Sequence, residues 1–379
     1  MEESFNNKDY ADYLIELEKS IAKTDEYEAK RAEKRRALSA AQKRRKEQIL
    51  RRRKFILLLT TVFLIFTLSI VGIAVLISDS SSKVGDNTPT NADIGEVNKA
   101  PKKPAYPSVT KKTLTVSENF DSQHIIVMNV EDHSIMAMRQ PFERAYPAST
   151  TKIMTLLTAV DYITDYDDTF TMTYEITDPL YVAEATVAGF ASGEVINLKD
   201  MLYGIILPSG GDASIGIATK ISGSEQEFVK LMNKKAKSLG LKGTNFTNCT
   251  GLFDENHYTT AADMAVILSE AIKNPLCREI LQTTKYTTKP TEQHPEGLEF
   301  HSTLFNYMYG DEPDGAEILG GKTGFVNESG YCIASFGKKD GGKEYITVNF
   351  EASSKWPAFY NQIDLYTAYV GGKSVSNNR

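Results

Sequence analysis

The sequence predicts an α+β domain carried outside a membrane on a single N-terminal transmembrane helix. Three observations predict it. A 23-residue stretch, Phe55 to Ile77, holds no charged side chain. The chain beyond it starts with a hairpin pattern and continues through amphipathic helices. It ends on two strands and a last helix, the segregated order of an α+β fold.

Residues 1–54 hold 16 Lys/Arg and 11 Asp/Glu, a net of +5, whereas the whole chain is −6, which leaves −11 for the rest. Such a split suggests two compartments. The acidic C-terminal bulk excludes nucleic acid as the main partner. The apolar run FILLLTTVFLIFTLSIVGIAVLI is about 35 Å long as a helix, enough to cross a hydrocarbon core of roughly 30 Å. It follows 54 residues and lacks a close A-x-A-like site, so it reads as a retained anchor rather than a cleaved signal. Residues 31–54 carry 12 basic and 2 acidic side chains on one flank of that run. The positive-inside rule therefore makes 1–54 a cytoplasmic tail, 55–77 a single-pass membrane span and the remainder extracellular. Residues 78–112 are rich in Ser, Asn, Pro and Lys without periodicity, as in a disordered spacer.

A globular domain is expected over 113–375. HIIVMNV and SIMAMR, separated by EDH, read as a β-hairpin. STTKIMTLLTAVDYI, NLKDMLYGIIL, DASIGIATKIS, SEQEFVKLMNKKAKSLG (ending at Gly240) and TAADMAVILSEAIKN have helical spacing. YCIASFGKKDGGKEYITVNFEA is strand, turn and strand, and WPAFYNQIDLYTAYV a closing helix. Cys249, Cys277 and Cys332 show no CxxC spacing and read as small buried hydrophobes, with no metal site implied.

Three short motifs carry chemistry. In PASTTKIMT, Ser149 lies at a helix start with Lys152 one turn on, so the two share a face. A serine hydroxyl needs a neighbouring base to accept its proton, and a lysine serves once its pKa is lowered. The helix start also offers N–H groups for an oxyanion. Alone, S-x-x-K is equally an N-cap serine and a surface lysine. PSGGDAS places Ser209 on a turn between two helices, and the Gly210-Gly211 pair suggests backbone with φ > 0. GGKTG, Gly320 to Gly324, sits at the edge of a predicted strand, where glycines permit close approach and Lys322 and Thr323 offer a cation and a hydroxyl to a carboxylate. Between Lys152 and Ser209 lie 56 residues, and between Ser209 and Lys322 lie 112. S-x-x-K, S-D-N and K-T-G form the signature of penicillin-binding proteins and class A β-lactamases, and the chain has S-x-x-K, then S-G-G as a partial match to the second element, then K-T-G, in the same order.

With YPASTTKIMTLLTAV, GEVINLKDMLYGIILPSGGDAS, GLKGTNFTNCTGLFDENHYTTAADMA and ILGGKTGFVNESGYCIASF, the chain resembles the D-alanyl-D-alanine carboxypeptidases of the low-molecular-mass penicillin-binding proteins, serine peptidase family S11. The resemblance implies a serine β-lactamase-like transpeptidase fold, an antiparallel sheet plus a helical subdomain with the site between them. It implies that Ser149 attacks the D-Ala-D-Ala carbonyl with Lys152 as base, and that Ser209 relays a proton to the leaving D-Ala. The N–H groups of Ser149 and Phe325 would form the oxyanion hole, and Lys322, Thr323 and Gly324 would hold the terminal carboxylate. The implied partners are peptidoglycan stem peptides and β-lactams, with no cofactor. Members often add a C-terminal β domain and anchor helix, whose place the N-terminal helix would take here.

One departure stands out: Gly211 occupies the position where the family usually has Asn. A catalytically weak penicillin-binding module is the alternative this departure supports. The five histidines include no H-E-x-x-H, and no G-x-S-x-G occurs, which disfavours zinc-peptidase and α/β-hydrolase readings. Glu184 and Glu194 lie outside the local pattern of a deacylating β-lactamase glutamate.

Overall fold

The computed structural model describes residues 105–375 apart from 309, 310 and 340. The expected tail 1–54, span 55–77 and most of the spacer lie outside the described residues. Among the described residues, no helix is long and apolar enough to cross a membrane.

The sheet is assembled from the two ends of the domain. Its first strands are β1 (Leu114–Thr115), β2 (His124–Asn129) and β3 (Ile135–Arg139). Its last are β8 (Ala316–Val326), β9 (Gly330–Lys339) and β10 (Glu344–Ala352). The strand order is β1-β3-β2-β10-β9-β8. All neighbours are antiparallel except β1, which runs parallel to β3, so the sheet is mixed at one edge rather than wholly antiparallel. Every residue of β2 is buried, because both faces of the sheet are covered. Ile126 and Met128 join the large helical core, while Ile125 and Val127 face Leu365, Tyr366 and Val370 at the C-terminal end. This alternation follows from the two-residue period of a strand.

Between the two halves of the sheet lies the helical part. A 3₁₀ turn, Ala148–Thr151, leads into α1 (Lys152–Ala159), all eight residues of which are buried. Around it stand α2 (Tyr174–Val182), α3 (Leu198–Ile206), α4 (Gly211–Ser222), α5 (Glu225–Leu239), α6 (Ala261–Ala271) and α7 (Pro275–Gln282). Several helices start on a side-chain cap. Asn197 accepts from Lys199 N, Ser224 from Glu227 N, and Thr260 from Asp263 N. Helix α5 ends on left-handed Gly240. Two small ribbons complete the part, β4 (Thr169–Thr171) with β5 (Val195–Asn197), and β6 (Lys285–Thr287) with β7 (Glu299–His301). A single turn of helix, α8 (Phe305–Met308), precedes β8, and α9 (Lys355–Leu365) closes the outer face of the sheet.

The folded domain starts ahead of Thr113, contrary to the expected boundary of the spacer. Tyr106 donates its hydroxyl to Asp263 Oδ1 at 2.8 Å, and the Lys242 ammonium lies 3.9 Å from its ring centroid. Ser108 bridges to Ser134. The low apolar content of this stretch hid an anchor made of one aromatic side chain and the backbone bonds of Ser108 to His133 and Ile135. Asp263 also accepts from Lys242 N, Gly243 N and Thr244 Oγ1, so it keeps three donors if the phenol is removed. Tyr106→Phe is expected to lower stability by about 1–2 kcal/mol. Urea unfolding of the domain checks this, and an unchanged midpoint would show that the segment is not part of the cooperative fold.

Candidate active site

The nucleophile candidate sits on a strained turn. Ala148 has φ +46°, a left-handed conformation that costs a non-glycine residue about 1 kcal/mol or more. Its surroundings hold it there. Thr150 Oγ1 donates to Pro147 O at 2.6 Å, and Gly251 (φ +82°) packs so close that a Cβ there would lie 2.0 Å from Ala148 O. His257 Nδ1 accepts from Thr247 N at 3.1 Å, so Nε2 carries the proton and donates to Thr151 Oγ1 at 2.8 Å. Burial pushes His257 down to about 4, and the imidazole works as a neutral strut.

Ser149 is half-buried on this turn, with Lys152 Nζ 3.2 Å from its Oγ. Lys152 is 2% exposed, and its other partner is the Thr250 carbonyl, 2.6 Å away. Desolvation pulls its pKa down to about 8, against the opposing charges of Cys249, Asp212 and Glu225. A neutral amine beside a hydroxyl is therefore within reach near neutral pH.

The facing wall is β8. The KTG motif lies inside this strand, not at its edge as expected. Glycine is unfavourable in a strand unless a neighbour needs the space. Here neighbours do: a Cβ on Gly324 would lie 2.8 Å from Ser149 N, and one on Gly320 would lie 2.4 Å from Leu281 O. Lys322 is fully buried and donates to Thr323 O at 2.8 Å. Desolvation, then the charge of Lys152, pulls its pKa well below that of a free lysine. Thr323 Oγ1 donates to Thr303 Oγ1 at 2.7 Å. Phe325 is 48% exposed and lies over Tyr331 at 4.4 Å between centroids.

The third motif connects α3 and α4. Ser209 is buried with φ +66°, so the left-handed residue is the serine and not the glycine pair after it. Gly210 has φ −63° and needs its missing side chain for space, since a Cβ would meet Ala188 N at 2.8 Å. Gly211 N donates to Thr186 O at 2.8 Å. The Asp212 carboxylate collects Ala188 N, Gly189 N and Phe190 N at 2.7, 2.9 and 3.1 Å. A Cβ on Gly211 would lie 2.9 Å from Leu180 Cδ2 and 3.2 Å from Thr186 O, so α2 occupies the room an asparagine would need.

Ser149, Lys152 and Gly324 are thus in contact, Lys322 is within charge range of Lys152, and Gly211 supplies no group to the lysine. Sequence reasoning missed the Thr250 carbonyl and the Thr303 hydroxyl. A backbone carbonyl has no residue signature, although the left-handed Gly251 beside it was a signal. The three cysteines are buried, as expected, and burial raises each thiol, Cys277 and Cys332 to about 12. Among the described residues, no group of three His, Cys, Asp or Glu is placed to hold a metal ion.

A buried lysine next to a serine at a helix start, opposite a glycine-bearing strand with a second buried lysine, defines an active-serine fold of the penicillin-binding type. Residues 110–354 match the family described as D-alanyl-D-alanine carboxypeptidase, peptidase family S11, and the chain belongs to it. Among similar proteins is D-alanyl-D-alanine carboxypeptidase DacF of Bacillus subtilis, 34% identical over 240 residues, which are 62% of this chain and 58% of that protein. The D-alanyl-D-alanine carboxypeptidase of Streptomyces sp. K15 is 29% identical over 254 residues, covering 65% of this chain and 84% of that one. The crystal structure of the Streptomyces K15 DD-transpeptidase superposes with a TM-score of 0.60 at 26% identity, over 66% of this chain and 98% of that one. The chain spans little more than half the length of the first curated relatives it matches.

The packing at Gly211 sets an expectation. Gly211→Asn should lower the melting temperature without raising the rate of acylation by penicillin, because the new side chain must displace Leu180. Adding Leu180→Ala should recover part of the loss seen in Gly211→Asn. A folded single variant with a faster rate would contradict this packing account.

Proposed function

We propose that the protein is a membrane-anchored serine-type D-Ala-D-Ala carboxypeptidase that trims peptidoglycan stem peptides and is acylated by β-lactams. The observation that carries this reading is the 3.2 Å approach of a buried Lys152 Nζ to Ser149 Oγ. Family membership supplies the substrate class.

In this reading neutral Lys152 takes the proton of Ser149 as Oγ attacks the penultimate D-Ala carbonyl. The N–H groups of Ser149 and Phe325 receive the oxyanion. Lys322 and Thr323 bind the terminal carboxylate, beside Gly324, where bare backbone lets the substrate strand approach. The peptide C–N bond breaks, Ser209 relays the proton held by Lys152 to the leaving amine, and D-Ala departs. Water then attacks the ester and returns Ser149. Lys322 and Thr323 on one strand suit a carboxylate, because a bound anion favours the ammonium form of the buried lysine and charge-assisted hydrogen bonds are the stronger kind. The four-membered ring of a β-lactam meets the same serine and leaves it acylated.

The site assignment is tested by penicillin labelling. Ser149→Ala should abolish covalent labelling, and Lys152→Ala should reduce it by about 100-fold or more. Full labelling of folded Ser149→Ala would end the mechanism. D-Ala release from a stem pentapeptide measures the activity itself.

The same reading places residues 1–54 in the cytoplasm, 55–77 in the cell membrane and the catalytic domain outside. The basic run on one flank of the apolar stretch supports it. Protease added to wall-stripped cells should remove the catalytic domain and spare the tail. Digestion of the tail with the domain left intact would reverse the topology.

A further inference from the structure

Lys152 Nζ has one partner that can only accept, the Thr250 carbonyl at 2.6 Å. What fixes that carbonyl is a single side chain two residues upstream. Asn248 Oδ1 accepts from Thr250 N at 3.2 Å, Thr250 Oγ1 at 3.1 Å and Gly251 N at 2.7 Å. Asn248 Nδ2 donates to Leu252 O at 2.9 Å. The loop is also held from behind. Cys249 N and Sγ donate to Glu225 Oε1 at 3.0 and 3.2 Å, and Cys249 O accepts from Thr155 Oγ1 at 2.7 Å. The peptide unit after Thr250 is therefore wedged between the lysine and the nucleophile turn. Its carbonyl rests on Lys152, and its Gly251 lies against Ala148 O.

We propose that Asn248 is a positioning residue: through the Thr250 carbonyl it aims the Lys152 amine at Ser149, a task for which Gly211 offers no side chain. The proposal rests on the Ser149–Lys152 mechanism above. The chemistry is that of an acceptor dipole held rigidly against an ammonium in a dry site, where such a bond is stronger than in water. Other groups also face Lys152. They are Lys322 on β8, Asp212 on α4, Glu225 on α5, and Cys249 and His257 on the segment between α5 and α6. Asn248 is neutral, so replacing it by Ala leaves all of these groups in place and removes no charge.

A carbonyl that accepts from the lysine favours its ammonium form, so loosening that carbonyl moves the ionisation of Lys152 to lower pH. A carboxylate at position 248 keeps the three acceptor contacts, loses the donation to Leu252 O and adds a negative charge, so it moves the ionisation to higher pH. Second-order acylation by a fluorescent penicillin, measured from pH 6 to 10 on the full chain, reads both effects. Asn248→Ala is expected to lower the plateau rate about tenfold and to shift the acid limb to lower pH. Asn248→Asp is expected to restore most of the plateau and to shift the limb to higher pH. A merely structural residue would change the amount of active protein and leave the limb in place. Limbs at the wild-type position in both folded variants overturn the proposal, as does an unchanged plateau in Asn248→Ala. Should Asn248→Ala fail to fold, Asn248→Asp and Asn248→Ser decide by the same limb. Absence of Ser149-dependent acylation in the wild type would overturn the mechanism instead. The variants' Lys152 side chains, titrated by NMR, would then decide whether Asn248 aims the amine.

Discussion

The site depends on one costly arrangement, an amine buried on the first turn of a fully buried helix. A lone ammonium in such a place is strongly unfavourable unless it is paired or gives up its proton. Lys152 does some of each. Thr250 O and Ser149 Oγ satisfy it, distant carboxylates favour its charge, and desolvation brings its pKa down to about 8. Much of the architecture follows from keeping water out and the two atoms together. Helix α1 is enclosed, the nucleophile turn is strained at Ala148, and β8 lies against it through Gly324. The charge of Lys152, added to desolvation, holds the pKa of the buried Lys322 well below that of a free lysine.

Glycine is the means by which these pieces touch. Gly324 admits the Ser149 backbone, Gly251 admits Ala148 O, and Gly210 admits the Ala188 backbone. Each lets two chains approach where a Cβ would hold them apart. Gly211 belongs with them. It lies under Leu180 and donates to Thr186 O, as part of a clamp in which Asp212 gathers three successive amides from 188 to 190. The position that looks like a lost catalytic amide is, in this chain, a packing contact between α2 and α4.

The sequence made most of the elements legible. The first hairpin, the helices at α1 and α3 to α6, the closing strands and α9 all stand where periodicity put them. The helix α2 was missed because Pro179 lies inside it and only Ile176 and Leu180 are buried. Helix α7 was missed because its eight residues span barely two turns, too few to show a period, although Asn274 and Pro275 marked its start. The ribbons of three-residue strands are too brief to show a period. In the sequence the KTG motif stands only at the edge of a predicted strand, because three of the eleven residues of β8 are glycine, which lowers strand propensity when packing is out of view. The pairing of β2 with β10 joins residues more than two hundred positions apart, and nothing local encodes it. Ser149, Lys152 and Lys322 were legible as motifs. The Thr250 carbonyl and its Asn248 brace were not, since a main-chain acceptor is specified by conformation and not by residue type.

Burial leaves the Lys152 amine partly neutral near neutral pH. The most direct test is the titration of its Nζ by NMR in the folded, uninhibited protein, with Lys152→Ala to assign the signal. The account predicts a midpoint near 8, well below the value of about 10.4 for a free lysine. A midpoint at or above that of a free lysine would mean that the ammonium is stabilised in the site, and would leave Ser149 without a neutral amine beside it.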